Sequence, residues 1–459
     1  MNPKISWRSG LALSVLLVFV ALTACGYKAT TTYGAPTAVA LLRYNANGTP
    51  DITNLVGGTG LVTTEVSSSQ DDVAFAVVRQ PDGKIIAVGT SFTTPARIVV
   101  IRYNADGTLD STFGSGGITV TSLPSADASA FAATLQADGK LLVAGRSCPL
   151  SGGSSFLLLR YHTNSNGITG TAGTLDTAGF NLPLGYMVTP ILSGTDTSAN
   201  AVALSGANIL VAGHSKIGGR FVIALAQYTA GGALDTTSGF GSGTGIVTTP
   251  IGSLDADAAA LAVQGDGKIV AAGLAGNAVS QIWDVALLRY NTNGTLDLPF
   301  GGTNTGMVVT DIGSSSNYAN AVALQTDGKI VVVGNAFVNS FAGTSDIAVL
   351  RYNTDGSLDT TGFGSPNGYV TTSVGAFDNG FAVAVQPDNK IVVAGNADAG
   401  TGDRLALLRY NADGGLDFSG FGTNGIVTRT ASGPSTIAGA FGVVLQPQPG
   451  GEIVVVGYD

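Results

Sequence analysis

Residues 74–89 read AFAVVRQPDGKIIAVG and residues 98–121 read IVVIRYNADGTLDSTFGSGGITVT, and these two stretches decide the fold. Both alternate apolar runs of strand length with turn residues. Ala74–Gln80 reads as a strand, and Pro81-Asp82-Gly83-Lys84 turns the chain into a second strand, Ile85–Gly89. A loop leads to Ile98–Asn104, Asp106-Gly107 turns the chain back, and Gly117–Thr121 completes the unit. These four runs are strands A, B, C and D. An Arg-Tyr pair ends strand C at Arg43, Arg102, Arg160, Arg289, Arg351 and Arg409, with Gln227-Tyr228 in the remaining place. A glycine closes strand B at Gly89, Gly145, Gly213, Gly273, Gly334, Gly395 and Gly457. Both markers occur seven times, and a repeat of this kind sets the architecture before any single motif does.

The A–B turn is Asp-Gly at 82–83, 138–139, 266–267 and 327–328 and Asp388-Asn389 once; the C–D turn is Asn-Gly, Asp-Gly or Gly-Gly throughout. Such pairs predict primed hairpin turns with two residues at positive φ. Strand B is apolar on both faces, as in Ile330-Val331-Val332-Val333, so both faces must be covered. Strand A carries paired small residues, such as Ala74 and Ala76 or Ala319 and Ala321, which period-two alternation places on one face. The chain enters with C and D and stops after A and B, so its two ends complete one more unit. Closure of that kind removes the bare sheet edge. The expected fold is all-β: a seven-bladed β-propeller over residues 38–459, four antiparallel strands per blade, the last blade closed by N-terminal C–D and C-terminal A–B strands. Unit 3 departs most, with sixteen residues from Arg160 to Asp176 where the others have eight and a shortened A–B turn at Ser205–Asn208, which predicts an irregular blade.

The run Leu-Leu-Arg-Tyr-Asn-x-Asp-Gly-x-Leu-Asp-x-x-x-Phe-Gly and the run Val-Gln-Pro-Asp-Gly-Lys-Ile-Val-Val-Ala-Gly resemble the delta-60 repeat of bacterial surface and secreted proteins. The resemblance implies a propeller-like fold and carries no assigned activity, so it brings no catalytic residues.

Charged residues make up 11% of the 459, hydrophobic residues 44%, and 66 are glycine. This excludes a disordered chain and disfavours a helical one. The formal charge is −9, and loss of Lys4 and Arg8 with a leader makes it −11; nucleic-acid binding is disfavoured because the basic footprint is missing. Residues 1–24 read as a signal peptide, with an apolar run from Leu11 to Ala24 too short to span a bilayer. It ends in Leu22-Thr23-Ala24-Cys25, which resembles the lipobox of bacterial lipoproteins. That resemblance implies acylation of Cys25, residues 25–37 as a tether, and, with Gly26 following, the outer membrane. Acylated Cys25 would leave Cys148 without an intramolecular partner.

The Asn-x-Asp-Gly-x-Leu-Asp run resembles part of a Ca²⁺ loop, but it lacks the acidic first position and a closing glutamate; a hairpin turn with a capping Asp fits better, and no cofactor is expected. The recurrent Arg reads as a structural partner for that Asp. His162 and His214 belong to no metal-ligand spacing, and no nucleophile motif is present. The A–B and C–D turns are constant while the B–C loops differ in every unit, and these loops hold Arg146, Cys148, His214 and Trp283, the one tryptophan outside the leader. Varied loops on a rigid scaffold are where recognition concentrates. B–C and D–A connections emerge on one end of a propeller, so Asp72, Asp127, Asp196, Asp257 and Asp378 are expected to ring the channel mouth there. The expected function is a lipid-anchored, non-enzymatic envelope protein presenting a ligand- or protein-binding face. Two alternatives are a lyase or hydrolase with a cation at the acidic mouth, and a purely structural or adhesive surface protein.

Overall fold

The computed structural model describes residues 36–459 except 125, 150–151, 165–169, 192–195, 278–279, 281, 314, 340–343, 399–402, 431–437 and 447–450. The expected leader, Cys25 and most of the tether lie outside the described residues. Within them the chain forms seven four-stranded antiparallel sheets. In blade 1 the strands are Asp72–Arg79, Ile85–Ser91, Arg97–Tyr103 and Ile118–Thr121. Blades 2 to 6 repeat this order through Thr430. Blade 7 combines Gly439–Leu445 and Ile453–Tyr458 as strands A and B with Val39–Tyr44 and Leu61–Thr64 as C and D. Its seam pairs Val39 with Tyr458 and Tyr44 with Ile453. Each strand A touches strand A of both neighbours, which makes it the inner strand of every blade.

The core is divided among seven layers, one between each pair of adjacent blades. Strand B shows why it is apolar on both faces: Leu141 and Val143 enter the layer toward blade 1, Leu142 and Ala144 the layer toward blade 3. Period-two alternation therefore sorts consecutive residues into different cores.

The repeated motif is a staple between blades at the outer rim. The Arg102 Nε lies 2.8 Å from Asp110 Oδ2, and the same guanidinium donates to the Thr163 carbonyl in the turn of the next blade. Arg160, Arg289 and Arg351 reach Ala230, Thr354 and Ala412 in the same way, and Arg43 and Arg409 reach Ala105 and Ala46. The recurrent Arg is thus the structural partner of the Asp. The Lys of the A–B turn joins it, with Lys84 Nζ 2.6 Å from Asp110. Burial alone would raise the Asp110 carboxyl, but the Lys84 and Thr112 hydrogen bonds and the Arg102 charge hold it well below the usual carboxylate range. The guanidinium also stacks 4.3–4.8 Å from the motif's Phe in five blades. Six of the seven motif tyrosines tie back to the preceding blade, as Tyr161 donates to Thr121 Oγ1 at 2.7 Å.

Three local expectations are corrected. The Asp-Gly and Asn-Gly hairpin turns are not of the primed kind. Gly83 N–H donates to the Gln80 carbonyl and Gln80 N–H to that of Lys84, and only Gly83 takes positive φ, at 91°. This is a three-residue loop with one left-handed residue, and in this blade Pro81 also holds φ near −65°. Asn389 occupies the glycine place at φ 64°. Secondly, the C–D turn of the long unit lies at Ala172-Gly173, the insertion having moved it along the chain. The Arg160–Asp176 pair still closes at 2.8 Å, and the short A–B turn after Ser205 belongs to the following blade; both blades keep four strands, so the expected irregular blade is not found. Thirdly, the paired small residues of strand A do not share a face. A bulge separates Ala74 from Ala76. It sends Ala74 into the layer toward blade 7 and Ala76 into the layer toward blade 2.

Candidate functional site

The bulge recurs in strand A of all seven blades, and the glycine closing strand B accommodates it. A Cβ at Gly89 would sit 1.8 Å from the Val73 carbonyl oxygen, and the other six glycines meet a strand A carbonyl within 1.7–1.9 Å. No residue with a side chain fits there without breaking the A–B ladder. The bulged residues are Phe75, Phe131, Asn200, Ala259, Asn320, Phe381 and Phe441. Their neighbours fill the two interblade layers, so these half-buried side chains are left for the propeller axis. Four of them form a row of rings: Phe381–Phe441 at 4.8 Å, Phe441–Phe75 at 5.2 Å and Phe75–Phe131 at 5.7 Å between centroids. Tyr458 extends the row at 5.7 Å from Phe441. Asn200 donates across the blade boundary to Asp257 Oδ1 at 3.0 Å, and Asn320 donates to the Gly380 carbonyl at 2.9 Å.

Sequence reasoning missed this set. The readable signal is that the residue between the paired small positions varies from Phe to Asn while its flanks stay small. Alternation assigned it to the opposite face from its flanks, and only the bulge turns it to the axis.

The expected B–C loop residues lie on strands. Strand B runs past the constant glycine, to Pro149 in blade 2 and Ile217 in blade 3, and Trp283 opens strand C of blade 4. The ladder continues because a hairpin keeps more backbone groups paired than an open loop does. Arg146 is buried, and burial pulls its guanidinium down to about 10 against the nearby charges of Asp196 and Asp127. His214 is buried, with Nδ1 3.1 Å from Asp257 Oδ1 and its ring edge-on to Phe221. Trp283 is half-buried against Tyr318, with ring centroids 6.5 Å apart. Cys148 is buried.

The five expected aspartates are brought to one end, where Asp72, Asp127 and Asp378 latch backbone N–H groups and Asp196 and Asp257 accept from side chains. Asp127 accepts from Ala96 N–H of the preceding blade at 2.7 Å, and Asp196 accepts from the Ser154 hydroxyl at 3.0 Å. Asp72 and Asp378 each accept two N–H groups of their own D–A loop. Asp257 holds His214 and Asn200. Among the described residues, no group of three His, Cys, Asp or Glu is placed to hold a metal ion.

Burial pushes Asp378 up to about 6 in spite of its two N–H donors, with Asp346 and Asp398 adding repulsion. The folded state therefore holds a proton that the unfolded chain releases near pH 4, and stability falls as pH rises from about 4 to about 6. Asp378→Asn keeps an oxygen for Val374 and Gly375 and removes the charge. The variant should lose part of that decline and exceed the parent in denaturation midpoint at pH 7, by about 1 kcal/mol. Parallel pH profiles for the two proteins would contradict this.

Seven segments, 29–53, 80–113, 136–166, 208–237, 264–300, 325–361 and 386–419, match the family described as the domain of unknown function DUF5122 beta-propeller. These segments carry the staple except for Asp176, and the seven axis-facing residues fall outside them. Comparison with curated proteins gives no match. Among solved structures, Sqt1 from Chaetomium thermophilum is 14% identical at TM-score 0.41, covering 84% of this chain and 94% of that one. A PL25 ulvan lyase bound to a sulfated saccharide is 13% identical at TM-score 0.43, covering 81% and 86%. A protein of unknown function from Dyadobacter fermentans is 11% identical at TM-score 0.35, covering 84% and 94%. The chain is a seven-bladed β-propeller whose seven repeats match the DUF5122 beta-propeller family.

Proposed function

We propose that this protein is an exported lipoprotein, acylated at Cys25, that works without catalysis by presenting the B–C end of its propeller to a ligand or a partner protein at the outer membrane. The observation that carries the reading is the contrast within each blade. The outer rim repeats one staple, while the position after the strand B glycine reads Thr90, Arg146, His214, Leu274, Asn335, Asn396 and Tyr458 in turn. A scaffold needs the constant part, and recognition uses the varied part. Trp283 is the aromatic anchor on this face, half-buried rather than enclosed in a core layer.

Two experiments test it. Labelled palmitate should enter the parent protein in bacteria and be lost in Cys25→Ser. Cys25 and Cys148 are the chain's two cysteines, so acylation of Cys25 and a disulfide between them are exclusive. A parent without label, whose thiols react with maleimide only after reduction, would remove the anchor from the proposal. Trp283 emission should shift with envelope glycans or peptides, and Trp283→Ala should weaken that binding about tenfold while barely moving the melting temperature. Loss of about 3 kcal/mol of stability instead would make Trp283 a packing residue.

A further inference from the structure

At the B–C end an aromatic ledge crosses from blade 4 to blade 5. Trp283 opens strand C of blade 4, and Tyr318 and Phe337 lie on strands A and B of blade 5, with ring centroids 6.5 and 5.7 Å apart along the row. Ser316 ties the two blades together there, accepting the Trp283 N–H on its hydroxyl at 3.2 Å and the Phe337 N–H on its carbonyl at 3.0 Å. Tyr318 is buried in the middle, Trp283 and Phe337 are partly exposed on either side, and Val338 beside Phe337 is 61% exposed. Blade 3 shows what a ring at this end does with a cation. There Lys216 and Phe221 face each other across the B–C ladder, and Lys216 Nζ stands 5.3 Å from the Phe221 centroid. The same register places in blade 4 hold Gly276 and Trp283, so the aromatic ring is kept and the cation is not. Between Lys268 and Arg351 the chain has two cations, Arg289 and Lys329, and both are engaged at the opposite end, with Asp297 and Asp359 at 2.6 and 2.8 Å. The ledge itself is flanked by carboxylates. Asp284 follows Trp283, Asp311 is exposed on the loop that carries Ser316, and Asp346 is half-buried opposite Ala336, next to Phe337. The cations at this end of blade 3 are occupied, Lys216 with Phe221 and Arg220 with the Gly252 carbonyl at 2.7 Å.

We propose that this ledge docks a basic segment of a partner protein, with an Arg or Lys side chain lying over Trp283 as Lys216 lies over Phe221, and an adjacent apolar side chain packing on Phe337 and Val338. Charge complementarity decides the occupant. A cation over an aromatic face is attracted by the ring, and the carboxylates of Asp311 and Asp346 belong to the same sector and match its charge. An acidic segment or a polyanion would meet three carboxylates that have no cation of their own blades at this end. Arginine suits the place better than lysine, because its flat guanidinium stacks on a ring and gives up its water more readily. Contact is made on an outer face, at the ends of strands, where aromatic residues are the usual anchors of a protein interface.

The inference rests on the binding-face reading above and names its partner, and the test separates the two. The probes are blocked hexapeptides of alternating arginine and leucine and of alternating glutamate and leucine, with spermine as a cation that has no apolar side chain. Calorimetry on the full chain at about 50 mM salt should show binding of the arginine peptide, weakened about tenfold at about 500 mM. The glutamate peptide should give no heat, and spermine should bind about tenfold more weakly than the arginine peptide. The double variant Asp311→Asn with Asp346→Asn should lose about tenfold in affinity, and so should Trp283→Ala, while Trp283→Phe retains most of it. Asp327→Asn, in the A–B turn at the opposite end, should bind like the parent. No heat with the arginine peptide would overturn the proposal, as would equal affinity for the glutamate peptide, spermine binding as tight as the peptide's, or parental affinity in the double variant. If Trp283 emission still shifts with a glycan or another peptide in those cases, the binding face stands and its basic partner falls. If Trp283→Ala lowers the melting temperature, the double variant and the salt dependence decide the matter.

Discussion

Deleting residues 440–459 should abolish cooperative melting and drive the remaining chain to aggregate. The deletion removes strand B of blade 7 and nearly all of strand A, and with them Ile453, Val454, Val455 and Val456, each 0% exposed. These four side chains belong to two layers, Ile453 and Val455 facing blade 6 and Val454 and Val456 facing blade 1. At about 2 kcal/mol each, their loss amounts to about 8 kcal/mol, comparable with the whole stability of an ordinary domain. It also strips Val39–Tyr44 of its seam partner and leaves an apolar strand with a free edge. Calorimetric melting and light scattering provide the check. A truncated chain that melts at the parental temperature would mean that the ring does not depend on these strands.

Replacing Arg409 with alanine should cost about 3 kcal/mol, because it leaves the buried Asp417 with a weaker set of partners and cuts the staple to blade 7. Lys390 remains 3.0 Å from Asp417, which keeps the loss at the low end for a broken buried pair. The molecule contains its own control. In blade 3 Gln227 stands in the Arg place, donating to Asp235 Oδ2 at 3.0 Å and to Ser238 Oγ at 3.0 Å. Arg409→Gln should therefore recover about half of the loss, restoring the bond to the Asp without the reach to the next blade. Urea midpoints of the three proteins measure this. Equal losses for Ala and Gln would show that the interblade bond to Ala46, and not the partner for Asp417, carries the energy.

Much of the architecture was legible because its markers are local. Gly83 and its counterparts announce turns, Ile330–Val333 announces a strand covered twice, and the split unit at the two chain ends announces ring closure. The Arg and Asp of the staple lie eight residues apart in most units, so their pairing follows from one hairpin. The turn class was not legible from the Asp-Gly pair, because a three-residue loop and a primed turn both need positive φ at that glycine and differ only at the residue before it.

The site was less legible because it is assembled from residues about sixty positions apart. Sequence by itself determined seven blades, four strands in each, the closing seam and the pairing of Arg with Asp, all consequences of hairpin geometry and apolar periodicity within one repeat. Tertiary structure alone decided which face each strand A residue occupies. The bulge sets a strand A carbonyl against the strand B glycine within each blade, and closure of the ring then brings the bulged residues of seven blades together at the axis. It turns Phe75, Asn320 and their counterparts to the axis, and it brings Asp127 to the Ala96 N–H of the preceding blade, a latch that no single unit could reveal.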